Sequence, residues 1–309
     1  MKSLWGIDLG GTKIEGVILK NAGSAEVLFR KRIPTEQEHG YRHIIGRIKA
    51  LLDMMREESG LEPESVGIGT PGSVDPQTGL HKNSNTTCLN GQPFYSDLQQ
   101  ALQLPLKMAN DANCFALAEA RLGVVKAEIP DAQVVFGVIM GTGVGGGIVV
   151  NGQLLNGLQG IAGEWGHNFL DASGDVSYTG RKGVVETILS GPALERYYHS
   201  VSGRSLTLKE IYSLHMQGKD EAARETMKRL THFFGLAISV VVNILDPDAI
   251  VLGGGVGNID LLYTEGVASA RKFVFNSRLE TRFLRPSLGD SAGVFGAAML
   301  TAGGVSGSG

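Results

Sequence analysis

Two stretches of the chain repeat one pattern, in which β-forming apolar residues run into a short Gly/Thr turn and a second such run leaves it. The first covers 4–19 around Gly10-Gly11-Thr12; the second has strands over 134–140 and 147–150 around Gly141-Thr142-Gly143. A duplication of this kind calls for two similar halves, and halves that face each other create a cleft. The length of 309 residues agrees with two domains, at roughly 100–200 residues each. Its 44 glycines are about twice the usual share of roughly 7%. They cluster at turns instead of forming a low-complexity tract.

Composition removes several classes of function. Lys plus Arg total 28 against 31 Asp plus Glu, a net charge of -3, with no long block of either sign. Nucleic-acid binding needs clustered basic charge, so none is expected. Two cysteines, Cys88 and Cys114, make no disulfide framework. The first residues carry no signal-like apolar segment, so a cytoplasmic location is expected. The longest apolar run, 236–245, includes Ser239 and Asn243. It falls short of the about 20 residues a membrane helix needs, and no span is expected.

Between the two turns, a third strand is predicted over 26–33. Apolar residues at Ile44, Ile45, Ile48, Leu51, Leu52 and Met55 predict an amphipathic helix over 41–58, closed by Gly60. A buried strand over 65–69 leads into a long irregular stretch, 70–93, of the kind that often carries function. A strand over 106–109 and a helix over 114–122 follow, joined by Asn110-Asp111-Ala112-Asn113. The second half is mostly helical, with helices predicted over 185–198, 208–216 and 220–245, the last ended by Pro247. A strand over 249–252 enters Gly253-Gly254-Gly255, and helices over 260–275 and 294–302 complete the chain before a Gly/Ser tail.

Glycine turns after strands let backbone amides approach phosphate oxygens without an intervening Cβ. Three such turns occur here. The first adds the hydroxyl of Thr12, the cation of Lys13 and, in Asp8, a carboxylate suited to hydrated Mg²⁺; the second adds Thr142. No P-loop is present at these turns, and no G-x-G-x-x-G there is followed by a helix. Asn110-Asp111-Ala112-Asn113 reads equally as an N-cap and as the place for a carboxylate that takes a proton from an attacking hydroxyl. Glu164-Trp165-Gly166-His167 sets an acid and an imidazole three residues apart, groups that suit sugar hydroxyls. Glu186, taken alone, reads as a carboxylate at a helix start.

Together these motifs make the chain resemble the ROK family of bacterial sugar kinases, within the actin-like and hexokinase-like ATPases. The resemblance runs over essentially the whole chain. It rests on G-I-D-L-G-G-T-K at 6–13, G-I-G-T-P-G at 67–72, N-D-A-N at 110–113, G-T-G-V-G-G-G at 141–147, E-W-G-H at 164–167 and L-G-G-G at 252–255. It implies a two-domain α/β fold of the actin-like, hexokinase-like (ribonuclease H-like) kind, with an interdomain cleft. The smaller domain would cover 1–122, completed by a C-terminal helix at 290–303; the larger would cover 123–289, and 304–309 would be a flexible tail. Regulatory members of the family carry an N-terminal helix-turn-helix, and the phosphate motif here starts at Gly6, so the repressor reading is disfavoured.

The resemblance further implies that Asp111 is the catalytic base and that Asn85, Asn110, Asp111, Glu164, His167 and Glu186 surround a hexose. Gly10, Gly11, Thr12, Lys13, Gly141, Thr142 and Gly143 would serve ATP, Asp8 would serve Mg²⁺ through water, and Gly254 and Gly255 would lie near the nucleoside. K-N-S-N-T-T-C-L-N-G-Q-P-F at 82–94 looks most like the fructokinase or mannokinase branch, which implies fructose as the acceptor. Glucose, mannose or an N-acetylhexosamine are alternatives, and a non-catalytic sugar sensor is the alternative from another class. A homodimer is expected, the commonest symmetric assembly.

The chain departs from the family at one place. Family members usually carry a zinc loop, C-x-C-G-x-x-G-C-x-E, whose cysteines join the E-x-G-H histidine. Here Ser177, Thr179 and Val184 stand at the cysteine positions. Hydroxyls are poor substitutes for thiolates and valine cannot ligate, so no structural zinc is expected.

Overall fold

The computed structural model describes residues 2–302, and the expected tail at 304–309 lies outside them. The chain divides into two compact units. One runs to Ala127 and takes back Gly152–Ala162 and, of the described residues, 287–302; the other comprises Glu128–Asn151 and Gly163–Pro286. Gly152–Ala162, expected within the larger domain, therefore packs with the first unit.

In the first unit the strands are β1 (Leu4–Leu9), β2 (Lys13–Asn21), β3 (Ser24–Pro34), β4 (Val66–Thr70), β5 (Ser73–Val74), β6 (His81–Lys82) and β7 (Leu106–Asn110). Five of them form one sheet in the order β3-β2-β1-β4-β7. β2 is antiparallel to β1 and to β3, whereas β4 is parallel to β1 and β7 to β4. The helices are α1 (Tyr41–Ser59), α2 (Phe94–Leu102), α3 (Asp111–Arg121) and α4 (Val124–Glu128). α1 buries Ile44, Ile48, Leu51, Leu52 and Met55 against the sheet core of Trp5, Ile7, Ile14 and Ile18. It ends, as its sequence predicts, at Gly60 in the left-handed conformation. α2 was not expected, although Phe94, Leu98 and Leu102 recur at helical spacing; its cap residue, Pro93, supplies no side-chain bond.

The long stretch 70–93 is less irregular than its composition suggests. β5 pairs with β6, His81 Nε2 bonds Pro71 O at 2.8 Å, and Lys82 Nζ bonds Asp75 at 2.8 Å. The Asn90 amide bridges Ser84 N and O at 2.9 Å each.

The second unit holds β8 (Val134–Met140), β9 (Val144–Val150), β11 (Ala249–Gly253) and β12 (Arg282–Leu284), and β10 (Gln153–Leu154) lies in the segment that packs with the first unit. Its strands run β9-β8-β11-β12, with β9 antiparallel to β8 and with β11 and β12 parallel in sequence. This repeats β2-β1-β4-β7 of the first unit, so the duplication read from the turns extends to whole sheets. β9 begins three residues earlier than expected, because Gly145, Gly146 and Gly147 are in register with β8 despite their weak strand preference.

Six helices lie in this unit: α5 (Glu186–Leu189), α6 (Gly191–Ser202), α7 (Leu208–Met216), α8 (Glu221–Leu245), α9 (Gly254–Gly257) and α10 (Glu265–Ala270). The single helix predicted over 185–198 is broken: Ser190 accepts from Ala193 N as an N-cap and Pro192 has no amide to continue α5. The helix predicted over 260–275 is shorter. Asn243 draws the chain away by accepting from Phe275 N at 2.8 Å and donating to Phe273 O at 3.3 Å.

α8 is long and apolar enough, by length and composition alone, to cross a membrane, longer than the apolar run 236–245 suggested. Half of its most apolar window is buried in the protein. Its buried residues, among them Met227, Leu230, Phe234 and Ile238, recur at helical spacing on a core-facing stripe.

The C-terminal helix, α11 (Ala292–Met299), belongs to the first unit and is shorter than the expected 290–303, with a 3-10 turn Gly289–Ser291 before it. It approaches the sheet so closely that a Cβ on Gly67 would lie 1.8 Å from Ala297 O, and one on Gly6 2.4 Å from Ala298 N. Glycine at those two strand positions is what lets the helix sit there.

Candidate functional site

In the first unit the turn Gly10-Gly11-Thr12 joins β1 to β2 and is closed by Gly10 N donating to Lys13 O at 2.9 Å. Thr35 holds it from outside: its amide donates to Thr12 O at 3.0 Å and its hydroxyl to Gly10 O at 2.7 Å. Thr12 and Lys13 point into the open, both exposed. Asp8 lies one strand position before the turn. Burial first, then the Asp111 and Glu15 carboxylates, push its carboxyl up to about 7 against a lowering by Lys13. The register pairs Asp8 with Glu15 on β2 and with Gly69 on β4, so a row of positions crosses the sheet on one face.

Sequence reading missed Glu15. It is 3% exposed, ion-paired to Arg30 and, at 2.8 Å, to Arg32. Its signal was present: a carboxylate within the run 14–19, whose other residues are apolar or glycine, at the position opposite Asp8.

Asn110 and Asp111 sit where β7 turns into α3. Asn110 is the N-cap, accepting from Asn113 N at 2.7 Å, so the capping reading holds for that side chain. Asp111 accepts from Ala112 N at 2.8 Å. Its side chain keeps an open face to solvent, while protein packed behind it pushes its carboxyl above the usual range and backbone hydrogen bonds partly offset this. The buried Cys114 thiol lies under the same group, raised by burial and by Asp8 and Asp111. Asn85 is exposed on the 70–93 stretch.

In the second unit the turn Gly141-Thr142-Gly143 joins β8 to β9, and Thr142 is exposed as Thr12 is in the first turn. Val144, the residue after it, gathers the rest. Its amide donates to Glu186 Oε2 at 2.9 Å, and a Cβ on Gly166 would lie 2.0 Å from its carbonyl. The Glu164–His167 turn is therefore pressed onto the start of β9. Trp165 anchors it, with Nε1 donating to Gly145 O at 3.3 Å and its ring edge-on to Phe136 at 5.8 Å. Glu164 Oε2 lies 3.9 Å from His167 Nε2. Glu186 thus does more than start a helix, since one of its oxygens is bound to the second turn.

Gly254 packs on the same strand end. Its φ is +80°, a conformation that favours glycine, and a Cβ there would lie 2.2 Å from Met140 O. Gly255 next to it faces open space. The structure brings Gly141–Gly143, Glu164, His167, Glu186 and Gly254 together in the second unit, and Asp8, Gly10–Lys13 and Asp111 together in the first.

Asp8 fits Mg²⁺. Its carboxylate lies close enough to Asp111 for that charge to raise it, and among the described residues no group of three or more acids, histidines or cysteines forms a direct cage, so the fit is to an ion held through its water shell. The positions matching the family's zinc ligands do not fit that metal. Ser177 Oγ and Thr179 Oγ1 bond each other at 2.7 Å, Val184 is an apolar residue buried to 1% exposure, and His167 remains as a lone nitrogen donor.

Two duplicated sheets, each opening through a glycine turn beside a carboxylate, define a protein of the actin-like, hexokinase-like α/β class. The chain belongs to the ROK family, which it matches over residues 4–303. It is 34% identical over 307 residues to the N-acetyl-D-glucosamine kinase of Haemophilus influenzae, covering 96% of this chain and 98% of that one. It is likewise 34% identical over 318 residues to the enzyme of the same name from Pectobacterium atrosepticum, at the same coverage. Among solved structures, the ROK hexokinase from Thermus thermophilus superimposes with a TM-score of 0.85 at 30% identity, over 96% of this chain and 97% of that one. A ROK family glucokinase from Streptomyces griseus, in complex with glucose and AMPPNP, gives 0.75 at 28% identity over 96% and 98%.

Proposed function

We propose that the chain is an ATP-dependent sugar kinase that phosphorylates the terminal hydroxyl of N-acetyl-D-glucosamine. The observation that carries the kinase reading is the grouping of Asp8, Asp111 and the Gly10–Lys13 turn at one end of the first sheet. Phosphoryl transfer asks for positioning and for stabilisation of charge. The Asp111 carboxylate accepts the proton of the attacking hydroxyl, and its raised affinity for protons suits that task. Amides of the two glycine turns, with Thr12, Thr142 and Lys13, receive the phosphates, and Gly254 and Gly255 lie along the nucleoside. Mg²⁺, when bound, neutralises phosphate charge, and Asp8 orients its water shell. Glu164 and His167, with Glu186, Asn110 and Asn85, present donors and acceptors to the sugar hydroxyls.

The acceptor differs from the fructose that the 82–94 segment suggested. Support for N-acetyl-D-glucosamine comes from the relatives named for it, at one residue in three across nearly the whole chain. A coupled ADP-release assay over N-acetyl-D-glucosamine, N-acetyl-D-mannosamine, glucose, mannose and fructose tests the reading. It requires N-acetyl-D-glucosamine to have the highest kcat/KM. Preference for another sugar overturns the acceptor assignment, and ADP release with none of them overturns the kinase.

A further inference from the structure

The segment from Asn168 to Val185 is closed by its own backbone. Val185 N donates to Asn168 O at 2.9 Å, Leu170 N to Gly183 O at 2.7 Å, and Gly183 N to Asp175 O at 3.0 Å. At its tip, Ser177 N donates to Arg181 O and Gly180 N to Ser177 O, at 2.8 and 2.9 Å. Bridges between Phe169 and Val184 and between Val176 and Lys182 complete the fold. The hydroxyls of Ser177 and Thr179 meet each other across the residue between them, Tyr178. Two side chains standing at cysteine positions therefore fix the backbone of that tyrosine.

Tyr178 in turn leans over His167. Its hydroxyl is 3.3 Å from His167 Nε2, and the two rings meet edge to face at 5.6 Å and 81°. The other imidazole nitrogen, Nδ1, is buried and bonds nothing among the described residues. Nε2 is thus the side from which the ring is held, and Glu164 reaches the same nitrogen only at 3.9 Å. Burial, with Glu186 and Glu164 nearby, pushes the Tyr178 hydroxyl above the usual phenol range, so it stays neutral and able to donate at working pH.

We propose that Tyr178 is a positioning residue for the acceptor sugar: its hydroxyl and ring edge hold the His167 imidazole. This rests on the reading that His167 contacts the sugar. Because Nδ1 is buried, Nε2 is the nitrogen left to meet the sugar, and the Tyr178 ring edge and hydroxyl beside it keep the imidazole from turning that nitrogen inward.

The test is steady-state kinetics of Y178F, H167A and the double variant, with sugar and ATP varied separately, alongside metal analysis of the purified wild type. Y178F keeps the ring and its edge contact, so the fold is preserved. It is expected to raise the KM for N-acetyl-D-glucosamine by about two- to twelvefold, the worth of one hydrogen bond. The kcat and the KM for ATP should change by less than about twofold. In the H167A background the same substitution should have little further effect, because coupled residues are not additive. Zinc should be far below one per chain.

An equal effect of Y178F in both backgrounds overturns the proposal, as does a fall in kcat with the sugar KM unmoved, or one tightly held zinc per chain. If H167A raises the sugar KM while Y178F does not, the tyrosine assignment alone fails. If H167A leaves that KM unchanged, the sugar role of His167 fails, and the tyrosine assignment with it.

Discussion

Asp8 and Asp111 are both crowded by protein, yet their consequences differ. For Asp111 the prediction concerns rate. Asp111→Asn keeps size and the bond from Ala112 N but removes the basic lone pair, so kcat should fall by about a hundredfold or more, as loss of a general base does. Binding of the sugar should weaken far less. Retention of more than about a tenth of wild-type kcat would remove Asp111 from that role.

For Asp8 the prediction concerns stability. Its carboxyl is raised from 3.8 to about 7, so between those values the folded chain holds a proton that the unfolded chain has lost. The group's contribution is fully present below about pH 4 and is lost as pH rises through 7. Asp8→Asn removes that loss. The variant should melt higher than wild type at pH 8, with the difference shrinking towards pH 5, while its activity is poor. A thermal unfolding series across that range measures it, and an equal shift at both ends would contradict the account.

At the scale of elements, Glu119 on α3 carries a load that no motif announced. It is 0% exposed and accepts from Val124 N at 3.0 Å, Ser287 N at 3.1 Å and Leu288 N at 2.9 Å. One carboxylate so ties the end of α3 to the chain that leads into α11. α11 carries Gly293, where a Cβ would lie 2.8 Å from Asp8 Oδ2, so the tie also sets the wall beside Asp8. Glu119→Gln is isosteric but turns an amide donor toward backbone donors. It should cost at least about 1–3 kcal/mol in urea unfolding, the price of an unpaired buried donor. A loss within error would mean that water replaces the bond.

Elements differed in how far their residues disclosed them. α1 followed from spacing and its closing Gly60, and α7 lies at the expected 208–216, where the structure adds a Thr207–Glu210 capping box. The early start of β9 did not follow, because it rests on pairing with β8 and on Val144 N donating to Glu186, distant in sequence, whereas the interruption at Ser190 was legible in principle from Ser190 and Pro192. α2 shows Phe94, Leu98 and Leu102 at intervals of four and was legible in principle. Glu15 and Glu119 read as ordinary charges until the sheet register and the return of the C-terminal chain place them.

At the scale of the whole molecule, the repeat of a strand, a three-residue glycine turn and a strand was the strongest signal, and it extends to two sheets with the same strand sequence of directions. Fold and family were legible because close backbone approach, as at Gly6 and Gly67, demands glycine and so marks the sequence itself. Acceptor choice was not, since it depends on the shape of a pocket wall, where small differences in side chains decide. The central claim is therefore tested most directly by competition. Equimolar N-acetyl-D-glucosamine and fructose are offered together with limiting ATP and Mg²⁺, and the two phosphorylated products are quantified by mass spectrometry, their ratio being the ratio of kcat/KM values. We predict that phosphorylated N-acetyl-D-glucosamine is the dominant product, one formed per ATP consumed; a majority of fructose phosphate, or ATP left intact, would contradict it.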